Sequence, residues 1–163
     1  MAKNKEEKTN VMRVLEQKKI AYTAHTYPHE EGMAVDGVTV AKSMGFDPAI
    51  VFKTLVARGA SKQYYVFDVP VAENLDLKKA AKAVGEKSIE MIHQKELLPL
   101  TGYVHGGCSP VGMKKLFPTV FHSSAENLAA MIVSAGKIGY QVELAHHDLA
   151  ALVRAKFADI IVE

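Results

Sequence analysis

Cysteine is almost missing from this chain: its 163 residues include one, Cys108. A single thiol builds no internal disulfide framework and no cysteine-based zinc site, and it suits a reducing cytosol. Long apolar runs are missing too, and the longest fall far short of the ~20 residues that span a bilayer. The first ten residues, MAKNKEEKTN, are polar and lead into no apolar block, so the pattern of a secretion signal is absent. Charge of one sign is equally scarce. Twenty basic residues stand against 18 acidic ones, a net charge of +2 that does not by itself mark a nucleic-acid binder. No internal repeat, low-complexity block or linker interrupts the sequence.

What is there fits an ordinary globular protein. Hydrophobic residues make up 48% and charged residues 23%, enough to bury one good core. The length predicts one domain over residues 9–163, with residues 1–8 as a flexible, polar N-terminus. Helical spacing of Val11, Val14 and Leu15 predicts a helix from Thr9 to Lys19, with Thr9 as its cap. Tyr22 to His29 reads as extended, and Val38 to Met44 as a helix stopped by Gly45. Strands are expected over Ile50–Val56 and Tyr64–Val71, followed by a helix capped by Asp76, running from Leu77 to Val84 and ended by Gly85. A short strand at Ser88–Ile92 and a brief helix at Gln94–Leu98 come next. Thr119–His122, Met131–Ser134 and Tyr140–Leu144 read as strands, Asp148–Ala155 as the last helix, and Ile160–Val162 as a closing strand. Short strands with irregularly interspersed helices predict a mixed α/β (α+β) fold on a largely antiparallel sheet or small barrel, since a doubly wound parallel sheet would alternate more regularly.

Lys53 stands out. In its strand it shares one face with Val51 and Leu55, while Ile50, Phe52, Thr54 and Val56 hold the other. Both faces are otherwise mostly apolar, so an ammonium here is either a site residue or a side chain that snorkels to water from the sheet margin. The segment Gly106-Gly107-Cys108-Ser109-Pro110-Val111-Gly112 cannot be helical, and it is either a tight turn or a loop whose amides face a carbonyl or carboxylate oxygen. It has neither the GxxxxGK[ST] nor the GxGxxG spacing of nucleotide loops.

Cys108 with His105 three residues away could form a thiol–base pair, but nothing in the spacing fixes that geometry, and a small apolar filler is the plainer role. His25, His29, His146 and His147 offer no HExxH-like spacing, so neither a metal nor another cofactor is expected. Tyr27 and His29 alternate onto one face of their extended segment. Lysines cluster at Lys78, Lys79, Lys82 and Lys87 and at Lys114 and Lys115, with Lys137 alone after a small-residue turn; these are either solvated surfaces or phosphate contacts.

Taken in order, the segments HTYPHE, VFKTL, NLDLKKAAKAVG, TGYVHGGCSPVG and VSAGKIGYQVEL resemble the YbaK/EbsC family of aminoacyl-tRNA editing proteins, from about residue 10 to the C-terminus. The loop GGCSPVG looks like the YbaK branch and not the ProX-type alanyl-tRNA deacylases. The resemblance implies a trans-editing deacylase in the cytoplasm that clears Cys-tRNA(Pro), and by extension Cys-tRNA(Cys), with no cofactor. Cysteine and proline are near in volume, and a pocket separates near-isosteres by only about 1–3 kcal/mol, so a second sieve is useful. The implied mechanism is substrate-assisted. The thiol of the esterified cysteine attacks its own carbonyl to form a thiolactone, a cyclisation classed as a lyase or a hydrolase step.

The resemblance assigns roles residue by residue. Lys53 matches the family's pocket lysine and would hold the terminal adenosine or its phosphate and the ester, with Thr54 supporting the ribose. Gly106, Gly107, Ser109 and Pro110 match the loop that cradles the aminoacyl group, and Tyr27 and His29 an early pocket wall. Ser134 matches a pocket-edge serine, and Gly136 lets its turn approach the substrate. Lys78, Lys79, Lys82, Lys114 and Lys137 are the candidate tRNA contacts. The implied partners are the aminoacyl-tRNA acceptor end and prolyl-tRNA synthetase, with neither membrane nor DNA. Cys108 departs from the family's usual aliphatic residue, which favours the filler role. Three other readings stay open: an alanyl-tRNA(Pro) deacylase, a non-catalytic tRNA- or synthetase-binding module, and a nucleotide pocket.

Overall fold

The first helix begins where Thr9 caps it. In the computed structural model, which describes residues 8–163, the Thr9 hydroxyl accepts the Met12 amide at 3.2 Å, and α1 (Asn10–Gln17) buries Val11, Met12 and Leu15. The expected flexible N-terminus lies outside the described residues, except for Lys8, whose ammonium pairs with Glu16 at 2.9 Å. Then follow β1 (Thr23–Thr26), α2 (Gly37–Ser43), a 3-10 turn (Pro48–Ile50), β2 (Phe52–Gly59), β3 (Tyr64–Pro70) and α3 (Leu77–Val84). The second half runs β4 (Ile89–Met91), α4 (Gln94–Thr101), β5 (Thr119–His122), a second 3-10 turn (Ser123–Asn127), β6 (Met131–Ser134), β7 (Tyr140–Leu144), α5 (His146–Val153) and β8 (Lys156–Ala158).

The strands form two sheets. A three-stranded antiparallel sheet has the order β1-β7-β6, and a five-stranded mixed sheet the order β4-β2-β3-β5-β8. In the larger one β2 pairs antiparallel with β3 and β4, while β5 lies parallel to both β3 and β8. Alternation along β2 divides the core. Phe52 and Val56 enter the main cluster with Val11, Leu15, Val66 and Phe121, while Leu55 and Ala57 face Phe67, Val69 and the alanines Ala80 and Ala81 of α3. A sheet covered on both faces explains why β2 and β3 read as nearly continuous apolar runs. The two sheets meet at a parallel bridge between Val51 and Ile132, sealed by Ala41 and Val71.

The fold is therefore mixed α+β, as the irregular element pattern predicts, but two expectations need correction. Among the described residues the strands do not close into a barrel; they remain two sheets joined at one bridge. The closing strand is not Ile160–Val162 but β8, Lys156–Ala158, which extends the parallel edge of the larger sheet. Ile160 is fully buried, yet its stretch forms no ladder: its one bridge is Leu75–Ile161, supported by the Asp76 amide on the Ile160 carbonyl at 2.8 Å and the Ile160 amide on His122 Nδ1 at 3.3 Å. Burial of one isoleucine gives that stretch its strand-like look without a ladder.

Candidate active site

A cleft of about 350 Å³ opens at the seam of the two sheets. Its walls come from the start of β2 (Phe52, Lys53, Thr54, Leu55), the end of β6 (Ser134), β7 (Gln141), the start of α2, the loop before α2 (Ala34, Val35, Asp36) and the loop carrying His105, Gly106 and Cys108. Most of this lining is apolar, with Val40, Val51, Phe52 and Val71 at its base. A site of this size and polarity suits one small moiety held by a few placed polar groups.

Lys53 is the cation in it. Its neighbours across the ladder are apolar, since Lys53 pairs with Val69 and Leu55 with Phe67. Burial lowers the Lys53 pKa, and the negative fields of Asp36 and Glu73 oppose that shift. Among the described residues no carboxylate lies within ion-pairing distance of its ammonium, so the charge faces the cleft and not a partner side chain.

Thr54, on the opposite face of β2, donates its hydroxyl proton to Asp68 Oδ1 at 2.5 Å. Asp68 is wholly buried, and among the described residues its other carboxylate oxygen has no hydrogen-bond partner. Burial pushes its carboxyl up to about 7, against the opposing pull of the Thr54 bond. Sequence reasoning missed this residue, although the signal was available: an acid inside the apolar run Tyr64–Pro70 is as out of place as Lys53 in its own strand. Gln141 was missed as well; it is buried in the cleft wall with its side-chain oxygen unpartnered.

The Gly106 loop packs tightly against two neighbours. Gly106 has φ +91°, and a Cβ there would lie 2.7 Å from the Ala34 Cβ, so both conformation and space demand glycine. A Cβ on Gly107 would fall 3.1 Å from the Ile138 amide nitrogen, which sets this loop directly on the β6–β7 turn. The loop's groups divide in use. Gly106 and Cys108 line the cleft, while Gly107, Ser109 and Pro110 are buried outside its lining. The Gly107 amide donates to the Val104 carbonyl at 2.9 Å, and Ser109 Oγ accepts the Val111 amide at 3.2 Å, so both shape the turn.

Burial, then the field of Asp68, push the Cys108 thiol up to about 12, with Thr101 opposing through a hydrogen bond. That is the environment of an inert, neutral thiol. Thiol-specific alkylation at pH 8 is therefore expected to run on the order of 10²-fold slower than for a free cysteine, after allowing for the greater intrinsic nucleophilicity of a high-pKa thiol. Denaturant should restore the ordinary rate. Prompt labelling of the native protein would contradict the buried neutral thiol.

Tyr27 and His29 keep an edge contact between their rings, 6.0 Å between centroids, but only one of them lines the cleft. Tyr27 is buried and lines the cleft, its phenol pushed up by burial, whereas exposed His29 lies outside the lining with its ring over Gly139 and its Nδ1 3.1 Å from the Tyr27 carbonyl oxygen. β1 ends at Thr26 and Pro28 turns the chain, so His29 sits beside Tyr27 without entering the cleft lining. Ser134 lines the cleft and accepts the Gly136 amide at 3.0 Å; Gly136 itself packs on Tyr103 and Val11, away from the cleft lining.

None of the five candidate tRNA-contact lysines lines the cleft. Lys137 stands nearest its loop, with its backbone against Gly107 and its ammonium 5.3 Å from the Tyr140 ring centre. Lys79 is tied to Asp159 at 3.0 Å and to the Ile161 carbonyl at 2.9 Å, Lys114 reaches the Pro99 carbonyl at 3.3 Å, and Lys78 and Lys82 flank a shallow groove beside α3. Among the described residues no three His, Cys, Asp or Glu side chains gather as a metal site requires, and no helix is long and apolar enough to cross a membrane.

Comparison with known proteins adds the context for this cleft. Residues 29–152 match the family described as the aminoacyl-tRNA editing domain. Over 161 residues, 98% of each chain, the sequence is 45% identical to an Enterococcus faecalis (strain ATCC 700802 / V583) protein named "Putative Cys-tRNA(Pro)/Cys-tRNA(Cys) deacylase EbsC". Two solved structures share the fold. One, described as "a putative trans-editing enzyme for prolyl tRNA synthetase", has a TM-score of 0.80 at 24% identity, covering 94% of this chain and 95% of that one. The other, hypothetical protein APE2540, has a TM-score of 0.82 at 18% identity, covering 93% and 99%.

Proposed function

This chain belongs to the aminoacyl-tRNA editing domain family, in its YbaK/EbsC branch, and from that premise we propose that it is a deacylase removing cysteine from mischarged tRNA(Pro), and from Cys-tRNA(Cys) as well. The observation that carries this reading is Lys53: a partly desolvated ammonium in an otherwise apolar cleft, with the Gly106 loop forming another wall. Such a cation, in a site that excludes much of the surrounding water, stabilises negative charge developing on an ester oxygen far better than it would in bulk solvent.

The nucleophile in this reading comes from the substrate. The sulfur of the esterified cysteine attacks its own carbonyl carbon, and the bond from that carbon to the ribose oxygen breaks. The electron pair stays on the ribose oxygen, which ends with the proton the thiol gave up, and the four-membered thiolactone is then opened by water to free cysteine. The protein supplies orientation and charge stabilisation. Lys53 stabilises the ester oxygen, Gly106 lets its loop approach the aminoacyl group, and Tyr27 and Ser134 bound the pocket. Gly107, Ser109, Pro110 and Gly136 hold the walls from behind, and Thr54 meets the ribose. The inert state of Cys108 supports this division of labour, because the enzyme's own thiol does not compete.

Lys137, beside the loop, is the lysine best placed to meet the acceptor-end phosphates, with Lys78, Lys82 and Lys114 as outer contacts. Prolyl-tRNA synthetase is the partner that would present the tRNA, in the cytoplasm. The test is release of labelled amino acid from Cys-tRNA(Pro), Ala-tRNA(Pro) and Ser-tRNA by the purified protein. Loss of the cysteinyl ester alone is the expected outcome. Loss of the alanyl ester at a comparable rate would overturn the thiol-dependent mechanism, and tRNA binding without release of any amino acid would make the protein a binding module.

A further inference from the structure

The functional reading leaves one buried acid without a task. Asp68 sits on β3 opposite Thr54 of β2, fully enclosed, with one oxygen taken by the Thr54 hydroxyl at 2.5 Å and the other unpartnered. An unpaired buried carboxyl is among the costlier groups a core can hold, and a valine would fit the surrounding run Tyr65–Val69 at less expense. The Thr54 hydroxyl hydrogen-bonds to it and the Cys108 thiol feels its field, and both residues line the cleft.

We propose that Asp68 is a positioning residue for the deacylation: by taking the Thr54 hydroxyl proton it fixes that oxygen as a hydrogen-bond acceptor toward the cleft, where it receives a donor of the bound aminoacyl-adenosine, the free vicinal ribose hydroxyl.

Hydroxyl polarity decides what Thr54 can offer the substrate. A threonine hydroxyl has one proton and two lone pairs, and it rotates to suit its neighbours. Committing the proton to Asp68 leaves only lone pairs for the pocket, so Thr54 can accept from the substrate and cannot donate to it. Asp68 Oδ1 accepts in the ionised form, and in the neutral form through its carbonyl oxygen, so the orientation survives titration of the acid. A ribose hydroxyl held in this way keeps its neighbouring ester oxygen in register with Lys53, the adjacent residue on the other face of the strand.

This proposal rests on the deacylase reading, and its test separates the two. Wild type, Asp68→Val, Thr54→Val and the double variant are compared in deacylation of Cys-tRNA(Pro), with thermal melting to correct for the folded fraction. Asp68→Val removes a buried polar group from an apolar strand, so its folding is not at risk, and Asp68→Asn joins the set as the conservative variant: its side-chain oxygen can still accept the Thr54 hydroxyl, so it should stay within a few-fold of wild type. The expected result is a fall in kcat of about 10- to 10²-fold for Asp68→Val and for Thr54→Val, with KM moved far less, since what is lost is alignment. The double variant should be no slower than the slower single one, because both act through the same oxygen. Thr54→Ser, which keeps the hydroxyl, should stay within a few-fold of wild type.

Losses that multiply in the double variant, or full kcat per folded molecule in Asp68→Val, overturn the proposal while leaving the deacylase reading intact. No cysteine release by the wild type overturns the deacylase reading and this proposal with it.

Discussion

Replacing Lys53 with methionine is expected to lower kcat/KM for cysteinyl-ester release by about 10²–10³-fold, the range found when one preorganised electrostatic group is removed from an acyl-transfer site. Methionine is the informative choice because it keeps an unbranched apolar stem of similar length. The stem of Lys53 packs in a strand whose same-face neighbours are Val51 and Leu55, so truncation to alanine would confuse lost packing with lost charge. Stability should hold or rise slightly, because burial already penalises the ammonium, as its lowered pKa records, and the fields of Asp36 and Glu73 only partly compensate. Arginine is not a conservative substitute here: a wide planar fork does not match the volume of a compact ammonium in a cleft of about 350 Å³. The measurement is single-turnover deacylation beside a thermal melt for the methionine, alanine and arginine variants. Near wild-type turnover by the methionine variant would remove Lys53 from the chemistry and shift the stabilising role to the Gly106 loop.

How much of this was legible beforehand depends on whether the signal was local. The boundaries of α3 follow from Asp76, whose side chain accepts the Lys78 and Lys79 amides at 2.9 and 3.0 Å, and from Gly85 in the left-handed region; both are single-residue signals that survive any tertiary context. The strands β5, β6 and β7 also lie where the β-branched and aromatic runs put them. Sheet membership was not legible. That β5 lies parallel between β3 and β8 depends on crossovers of dozens of residues, and β8 itself, Lys156–Ala158, is too short to carry a periodic pattern.

The site divides in the same way. Lys53 was visible because a charge in an apolar strand breaks a local rule, and Asp68 broke the same rule one strand later. What made Lys53 easier to pick out was the family resemblance of its motif, which assigns a role to the lysine and none to the acid. Two-residue alternation does not run past Thr26, where the strand stops, and His29 lies beside the Tyr27 ring but outside the cleft lining. The seam between sheets, which makes a cleft out of β2, β6 and β7, exists only once Val51 bridges Ile132.

The buried acid should also write itself into the stability of the protein. With the Asp68 carboxyl at an ordinary value of 3.8 in the unfolded chain and raised to about 7 in the fold, the native state holds its proton more tightly than the unfolded state does. Between those two values the native state binds more protons, so the contribution of this group to stability falls as pH rises, and it levels off above the native value. At about 1.4 kcal/mol per pH unit over about three units, the full step is on the order of 4 kcal/mol, and water entry or local relaxation around the ionised group reduces it. Asp68→Val removes the step altogether. Urea unfolding of the wild type and the Asp68→Val variant at pH 4, 5, 6, 7 and 8 should therefore show the difference between them moving steadily in favour of the variant by a few kcal/mol, most of it below neutrality. A constant difference across that range would mean that Asp68 titrates alike in the folded and unfolded chains, and so that its carboxyl is solvated in the native protein. A difference moving the other way would require a cation beside Asp68 that holds it ionised. The expected direction has a physical consequence for the site. A carboxyl that costs stability at neutral pH, tolerated directly behind a threonine of the cleft, is what a core accepts when the group acts on the contents of the cleft and does not serve the packing.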